Sequence, residues 1–116
     1  MPEPERRYFR RVQKVIEFHC TSHGPPLTGR IRDLSEGGVF VDTANPLPAG
    51  TPVTFTFVLQ PISKKTILGR GLVRWCEDEV GMGIQFLALS EDDQELIRRF
   101  VALDDRTSPG PGSPPP

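Results

Sequence analysis

Val53-Thr54-Phe55-Thr56-Phe57-Val58-Leu59 is the stretch that decides the fold of this chain. Apolar side chains occupy every second position, and threonine or valine fills the positions between them. A period of two places the two sets of side chains on opposite faces of a β-strand. β-Branched and aromatic residues also suit a strand that is half buried. The stretch therefore predicts a β-strand with one face in a hydrophobic core.

Five further stretches have the character of strands, and turn residues separate them. They are 12–20, 27–34, 39–42, 66–77 and 80–87. Within the first, Ile16, Phe18 and Cys20 fall on one face and would be buried. Gly29 is a candidate β-bulge, and Gly69 and Gly71 are candidates for bending the long strand.

One amphipathic helix follows the strands. Ser90 suits the N-cap, and the acidic residues 91–93 lie where the helix dipole favours negative charge. The apolar stripe consists of Leu96, Ile97, Phe100 and Leu103. Six short strands and then one helix predict an all-β fold, a small six-stranded antiparallel β-barrel with a C-terminal α-helix. The helix is expected to plug one end of the barrel or to lie across an opening.

The chain length and the sequence at both ends predict a single domain. At 116 residues the chain has room for one core. Residues 1–5 read as a disordered lead, residues 6–104 as the domain, and the Pro, Gly and Ser-rich residues 105–116 as a disordered tail. The lead is acidic and has no apolar core, so it does not resemble a signal peptide. A cytoplasmic location is expected.

Charge and residue content argue against several classes of function. The chain has 14 Lys+Arg against 15 Asp+Glu and a net charge of -1, which disfavours a broad nucleic-acid-binding surface. No stretch has the roughly 18 apolar residues of a membrane-spanning helix, so no membrane insertion is expected. No nucleophile–base pair or phosphate-binding P-loop is present, and an enzyme with a catalytic site or a bound cofactor is not expected.

The cysteines and histidines offer a weak metal hypothesis. Cys20 and Cys76 are expected to be buried thiols rather than a disulfide. His19 and Cys20 are adjacent on a strand and would point to opposite faces, so a closed zinc site with His23 is disfavoured. No metal site is predicted.

Two clusters carry the candidate chemistry. Arg6-Arg7-Tyr8-Phe9-Arg10-Arg11 places four arginines within six residues, and Asp33-Leu34-Ser35-Glu36-Gly37-Gly38 follows at a distance. Guanidinium groups bind phosphate bidentately and stack on purine rings. A carboxylate accepts hydrogen bonds from a guanine edge, and glycines let backbone amides approach a ligand. The pair predicts a site for a small, doubly charged phosphate ligand, with residues 6–11 as a binding arm. Residues 1–10 are expected to be mobile until a ligand orders them.

Each cluster also has a plainer interpretation. An arginine cluster is commonly a solvated basic terminus. An Asp-x-Ser-x-x-Gly stretch can be a turn whose side chains satisfy local backbone amides.

Taken together, the two clusters resemble the motifs of the PilZ domain family. Arg7-Tyr8-Phe9-Arg10-Arg11 is similar to the Arg-x-x-x-Arg motif, and Asp33–Gly38 is similar to the Asp-x-Ser-x-x-Gly motif. Gly71-Leu72-Val73-Arg74-Trp75, Gly81-Met82-Gly83-Ile84-Gln85-Phe86 and the final helix agree with this resemblance. It covers about residues 5–103.

The resemblance implies binding of cyclic di-GMP. Carried over by position, Arg7 and Arg11 would contact phosphates and guanine, and Asp33 and Ser35 would bind the guanine edge. Gly38 would leave room for the ring. The family places arginine ahead of the motif where two stacked ligands bind, so Arg6 implies an intercalated ligand dimer. The secondary candidates are Arg10, Gly37 and Trp75, of which Gly37 is a free position of the motif and Trp75 could equally pack at the barrel rim.

The functional prediction is a stand-alone adaptor that binds cyclic di-GMP and signals to an unidentified effector protein. The alternative is a PilZ-like interaction module that does not depend on nucleotide. A barrel that binds nucleic acid through Arg6–Arg11 is a third class, which the near-neutral net charge disfavours.

Overall fold

A computed structural model of the chain describes residues 10–11 and 15–107, which contain seven strands and one helix. The elements are β1 (Arg10–Arg11), β2 (Glu17–Thr21), β3 (Leu27–Leu34), β4 (Gly38–Asp42), β5 (Pro52–Val58), β6 (Thr66–Glu77), β7 (Gly81–Ala88) and α1 (Glu91–Thr107). The predicted lead, Arg6, Arg7, residues 12–14 and the tail from 108 onward lie outside the described residues.

The six longer strands form a closed antiparallel barrel. They follow the order β3-β2-β5-β6-β7-β4, and β4 pairs back onto β3 to close the ring. The two-residue strand β1 pairs with the end of β3. The predicted six-stranded barrel with a C-terminal helix is therefore confirmed, and β1 is an addition to it.

The barrel interior is filled by the apolar residues that the alternation pattern selects. Phe18, Phe55 and Phe57 are buried with ring centroids 5.4–5.9 Å apart. Ile16 and Cys20 share their face, whereas Val15, Glu17 and His19 point outward. The period of two thus determines which face of each strand is removed from water, the main favourable contribution to folding.

The helix packs onto the barrel through both its apolar stripe and its first turn. Ile97 and Val101 are buried in the core, with Leu96 and Phe100 packed against it. Ser90 Oγ accepts a hydrogen bond of 3.0 Å from the backbone N–H of Asp93, which confirms the predicted N-cap. The helix also lies close to β1.

Asp93 ties the start of the helix to the β5–β6 hairpin. Its carboxylate is buried and accepts from Lys65 Nζ at 2.7 Å and from the backbone N–H of Leu68 at 3.4 Å. The hydrogen bond with Asp93 raises the pKa of Lys65. The helix ends at Thr107, three residues into the segment predicted to be a disordered tail.

The glycine predictions were right in one strand and wrong in another. Gly29 is in regular register with Phe18, and the irregularity of β3 lies instead between Ile31 and Asp33. Gly29 is required by a close approach, since a Cβ there would lie 2.6 Å from the carbonyl oxygen of Asp42. In β6, a register shift between Arg70 and Gly71 agrees with the predicted bend.

No helix among the described residues has the length and apolarity needed to cross a membrane. Within the same residues, no group of three or more His, Cys, Asp or Glu side chains is placed to hold a metal ion.

The two cysteines differ in environment, which gives a first testable prediction. Cys20 is 2% exposed, as expected, whereas Cys76 is partly exposed, contrary to expectation. Burial raises the pKa of the Cys20 thiol to about 11, and the thiolate is the species that reacts. Iodoacetamide at pH 8 should therefore label Cys76 and leave Cys20 unmodified until the chain is unfolded. Cys76→Ser should abolish native labelling, and rapid labelling of Cys20 in that variant would contradict this packing.

Candidate ligand-binding site

The two motif segments are brought together by the pairing of β1 with β3. Arg10 lies opposite Leu34, and Arg11 lies opposite Asp33. Directly opposed residues of an antiparallel pair have Cα atoms about 4.5–5.5 Å apart. The backbone of Arg11 is thus adjacent to that of Asp33, although 21 residues separate them in the sequence.

A change of register makes this pairing possible. Glu17 of β2 pairs with Arg30 on the same strand, β3. Five residues lie between Arg11 and Glu17, but only two lie between Arg30 and Asp33. The N-terminal segment therefore pairs with β3 in two registers that differ by three residues. The second register places β1 beside the end of β3, where the Asp33–Gly38 segment begins.

The residues after β3 form a tight turn that Ser35 holds together. The backbone N–H of Ser35 donates to the carbonyl oxygen of Gly38 at 2.9 Å. Ser35 Oγ accepts from the backbone N–H groups of Gly37 at 3.2 Å and Gly38 at 3.1 Å, and donates to the Gly38 carbonyl at 3.3 Å. Ser35 is 4% exposed. Its hydroxyl is therefore used within the turn, as the plainer interpretation of this motif predicts.

The two glycines of the turn have different surroundings. A Cβ on Gly38 would lie 2.5 Å from the carbonyl oxygen of Ile84 on β7. A Cβ on Gly37 would meet nothing within 4 Å, and the Gly37 carbonyl accepts from the Phe86 N–H at 2.9 Å. Gly38 is thus required by the close approach of β7, a reason that the sequence did not indicate, whereas Gly37 tolerates a side chain.

Ser35→Ala should weaken both the turn and any ligand site built on it. The variant removes the acceptor of two backbone N–H groups, and leaving such buried groups unpaired costs about 1–3 kcal/mol. We expect a lower midpoint of urea unfolding, checked by circular dichroism, together with weaker ligand binding. Unchanged stability would show that water replaces the hydroxyl without cost.

A groove of about 560 Å³ opens beside this turn on the outer surface of the barrel. The groove is lined by three residues of the Asp33–Gly38 motif, by Trp75 of β6, and by further residues of β4, β6 and β7. They are Ser35, Gly37, Gly38, Val39, Phe40, Arg74, Trp75, Gly83, Ile84 and Gln85. The volume is in the range of small-molecule sites.

Two aromatic rings form one wall of the groove. Trp75 is 47% exposed and packs against Phe40 with ring centroids 5.2 Å apart and planes inclined by 44°. The rings meet over Gly83 of the intervening strand. Trp75 thus both packs at the barrel surface and presents an open area to the groove.

An arginine extends this aromatic wall. The Arg32 guanidinium lies 4.4 Å from the centroid of the Phe40 ring, within the range of a cation–π contact. Arg32 Nη2 is 2.6 Å from Asp42 Oδ1, an ion pair without hydrogen-bond geometry. Arg74, which also lines the groove, is exposed and has no acidic partner in the described part of the chain.

The sequence predictions missed Phe40, Arg32, Arg74 and Gln85 as neighbours of the turn. The available signal was the spacing of Gly81 and Gly83, which leaves room for large rings from adjacent strands. Asp33 is partly exposed and lies at the end of β3 next to the turn. The side chains of Arg10 and Arg11, and all of Arg6 and Arg7, lie outside the described residues.

The helix also reaches the turn. Arg98 Nε lies 3.5 Å from Glu36 Oε1 and pairs in addition with Glu95. Exposed pairs of this kind contribute about 0–1 kcal/mol. The pair between Arg98 and Glu36 nevertheless links α1 to the Asp33–Gly38 segment.

A second groove, of about 540 Å³, lies across β2 and β5. Among the described residues, its titratable lining residues are Glu17 and His19, and neither Asp33 nor any residue of 35–38 borders it. A groove whose described lining includes a carboxylate and no arginine is poorly suited to a doubly charged phosphate ligand. We therefore take the groove beside Trp75 as the candidate site.

Comparison with known proteins agrees with the fold described above. The family model described as PilZ domain matches residues 5–103. A search of curated proteins found no significant match.

Solved structures with the same fold include three that are informative. Bacillus subtilis inhibitor of motility, MotI/DgrA, has a TM-score of 0.77 at 16% identity, covering 95% of this chain and 59% of its own. The PilZ domain of YcgR from Escherichia coli, solved with c-di-GMP, has a TM-score of 0.66 at 17% identity and covers 89% and 94%. The PilZ domain of CeSA from a cellulose-synthesizing bacterium has a TM-score of 0.60 at 22% identity and covers 80% and 95%.

Proposed function

Because this chain belongs to the PilZ domain family, we propose that it is a cyclic di-GMP receptor that signals to a partner protein. The observation that carries the proposal is the pairing of Arg11 with Asp33, which joins the two motif segments at one end of a groove. PilZ domains act as binding modules rather than as enzymes, and no catalytic role is proposed. The structure of the YcgR domain with c-di-GMP supports the choice of ligand by analogy of fold.

The proposed contacts follow from the chemistry of each group. Arg7 and Arg11 bind the phosphates, because guanidinium forks match phosphate oxygens and keep their charge at all relevant pH values. Asp33 accepts hydrogen bonds from the donor edge of guanine. Trp75 offers an exposed indole face on which a purine can stack.

Ser35 and Gly38 act through the turn in this proposal. The Ser35 hydroxyl is already engaged by Gly37 and Gly38, and Gly38 allows β7 to approach. Both residues therefore fix the position of Asp33 and the groove wall. This differs from the direct guanine contact that the family resemblance implies for Ser35.

The arm at residues 6–11 is proposed to close over the ligand. Charge-assisted hydrogen bonds contribute about 1.5–3 kcal/mol each, enough in combination to offset the cost of ordering a short segment. The change in the arm would alter the surface around it, which a partner protein then recognises. Arg10 and Arg11 are already paired with β3 as β1. Hydrogen exchange of residues 6–9 should therefore slow when ligand is added, and unchanged exchange would rule out this arm mechanism.

Isothermal titration calorimetry tests the choice of ligand. Cyclic di-GMP should bind the full chain with a dissociation constant in the low-micromolar range or tighter, which corresponds to about 8 kcal/mol or more. Cyclic di-AMP has the same phosphates without the guanine edge and should bind much more weakly. No heat with cyclic di-GMP at tens of micromolar protein would refute the proposal and favour the nucleotide-independent interaction module.

Arg6→Leu tests the proposed intercalated ligand dimer. Removing the guanidinium that precedes Arg7 should shift the stoichiometry from two ligands per chain toward one, because a second ligand loses its cationic partner. The same calorimetric titration reads this stoichiometry directly. A variant that still binds two ligands per chain would contradict the role given to Arg6.

A further inference from the structure

The outer face of β6 carries an alternating row of leucine and arginine that the nucleotide site does not use. Leu68, Arg70, Leu72 and Arg74 point outward, whereas Ile67, Gly69, Gly71 and Val73 point into the barrel. We call these four outward residues, together with Leu87 of β7, the β6 strip. Leu68 is 58% exposed and Leu87 is 59% exposed, so both leucines present apolar area to solvent on this face.

The strands on either side of the β6 strip carry no acidic side chain facing outward. The outward positions of β5 are Pro52, Thr54, Thr56 and Val58, and β7 contributes Gln85 beside Leu87. Neither Arg70 nor Arg74 forms an ion pair with any residue of 15–107. The β6 strip is therefore a local cationic and apolar surface on a chain whose net charge is -1.

We propose that the β6 strip is the docking surface for an acidic protein segment that also carries apolar side chains. Arginine and large apolar residues are typical of the centre of protein interfaces, and complementary charge increases the rate and specificity of association. The strand rise of about 3.3 Å per residue places Arg70 and Arg74 about 13 Å apart. An extended partner segment with acids at matching spacing and leucines between them would satisfy both kinds of side chain.

An anionic membrane is the other surface that such a strip could meet. Recognition of anionic lipid headgroups usually needs clusters of about four to eight basic residues. The β6 strip has two, Arg70 and Arg74, and its leucines are interleaved with them along one strand. The observations therefore favour a protein partner.

The β6 strip adjoins the candidate nucleotide site. Gly38 of the turn pairs with Gln85, which pairs with Leu72 of the strip. Arg74 belongs to the strip and also lines the groove. A ligand in the groove would lie beside one of the two cations that attract the partner. The docking itself requires no nucleotide and goes beyond the receptor function proposed above.

The test uses the full chain labelled with nitrogen-15 and a synthetic peptide, Leu-Ser-Glu-Ser-Leu-Ser-Glu, whose leucines and glutamates lie on one face of an extended strand. Amide shifts should change along Leu68–Arg74 and at Leu87, and the double change Arg70→Glu with Arg74→Glu should weaken binding at least about 10-fold. Arg30→Glu is the matched control, because Arg30 is exposed on β3, away from the strip, and should bind as the wild type does. A peptide with serine in place of leucine should bind more weakly.

Three outcomes would overturn the proposal. Shifts that map to another face, or no shifts at millimolar peptide, would show that the strip does not dock acidic segments. Equal binding by the double variant would remove the role of the arginines. Sedimentation with phosphatidylserine vesicles that depends on Arg70 and Arg74, without peptide binding, would assign the strip to membranes.

If the double variant fails to fold, Arg70→Gln with Arg74→Gln serves instead. Because no nucleotide is present, these results are independent of the calorimetry.

Discussion

Arg11→Ala is expected to abolish measurable binding of cyclic di-GMP while the barrel remains folded. Arg11 is the motif arginine whose backbone pairs with Asp33, two residues before the turn residue Ser35 that lines the groove. Loss of a charge-assisted, bidentate contact to phosphate costs about 1.5–3 kcal/mol, or roughly 10- to 150-fold in affinity. Loss of guanine stacking adds to this, so calorimetry at tens of micromolar protein should detect no heat. Arg7→Ala should behave in the same way.

Arg30→Ala is the matched control for both variants. It removes an exposed arginine of β3, the strand with which β1 pairs, and Arg30 belongs to neither motif. Its affinity should equal that of the wild type. If Arg11→Ala retained affinity within about threefold of the wild type, the role proposed for the arm would be refuted.

Gly38→Ala is expected to destabilise the barrel strongly. The added Cβ would lie 2.5 Å from the carbonyl oxygen of Ile84, a backbone atom that moves only if β7 moves. Overpacking of this kind costs about 1–3 kcal/mol, occasionally more. For a domain of this size the thermal midpoint should fall by several degrees. Binding should also weaken, since the turn beside Asp33 is displaced.

Gly37→Ala separates the packing argument from a general effect of glycine in the turn. A Cβ at Gly37 meets nothing within 4 Å, so its thermal midpoint should stay close to that of the wild type. Differential scanning calorimetry of the two variants side by side makes the comparison. Equal midpoints for Gly37→Ala and Gly38→Ala would show that the approach of β7 to the turn is not as close as described.

The barrel was predictable because its determinants are local. The alternation of Phe55 and Phe57 with threonine identifies both a strand and its buried face. The N-cap at Ser90 is likewise a short-range pattern. The role of Gly29 was not predictable, because it depends on the carbonyl oxygen of Asp42 on another strand. A bulge and a close approach both favour glycine, and the sequence does not distinguish them.

The candidate site was predictable in its motif residues but not in its arrangement. The sequence indicates that Asp33 and Arg11 belong to one site, whereas the shift of three residues between β1 and β2 places them side by side. The meeting of Phe40 with Trp75 depends on the register of three strands. The position of Arg74 beside the turn follows from the same register. Such long-range relations have no local signature in the sequence.

Ser35 has hydrogen-bond partners within its own turn that the motif does not specify, and the guanine contact that the resemblance implies stays a prediction. Its type and spacing predict a polar contact, which the structure provides within the turn, through Gly37 and Gly38. The buried hydroxyl therefore stabilises the turn that lines the groove. Serine hydroxyls commonly satisfy the backbone amides of a turn in this way.

Chemical-shift mapping of the labelled full chain with cyclic di-GMP tests the central claim most directly. We expect saturable chemical-shift changes at residues 10–11, at 33–38 and at the indole N–H of Trp75, which is the only tryptophan of the chain. The β2–β5 groove around His19 and Thr56 should be unaffected. Changes confined to that groove, or no changes with ligand in large excess, would contradict a cyclic di-GMP site at the junction of β1 and the Asp33–Gly38 turn.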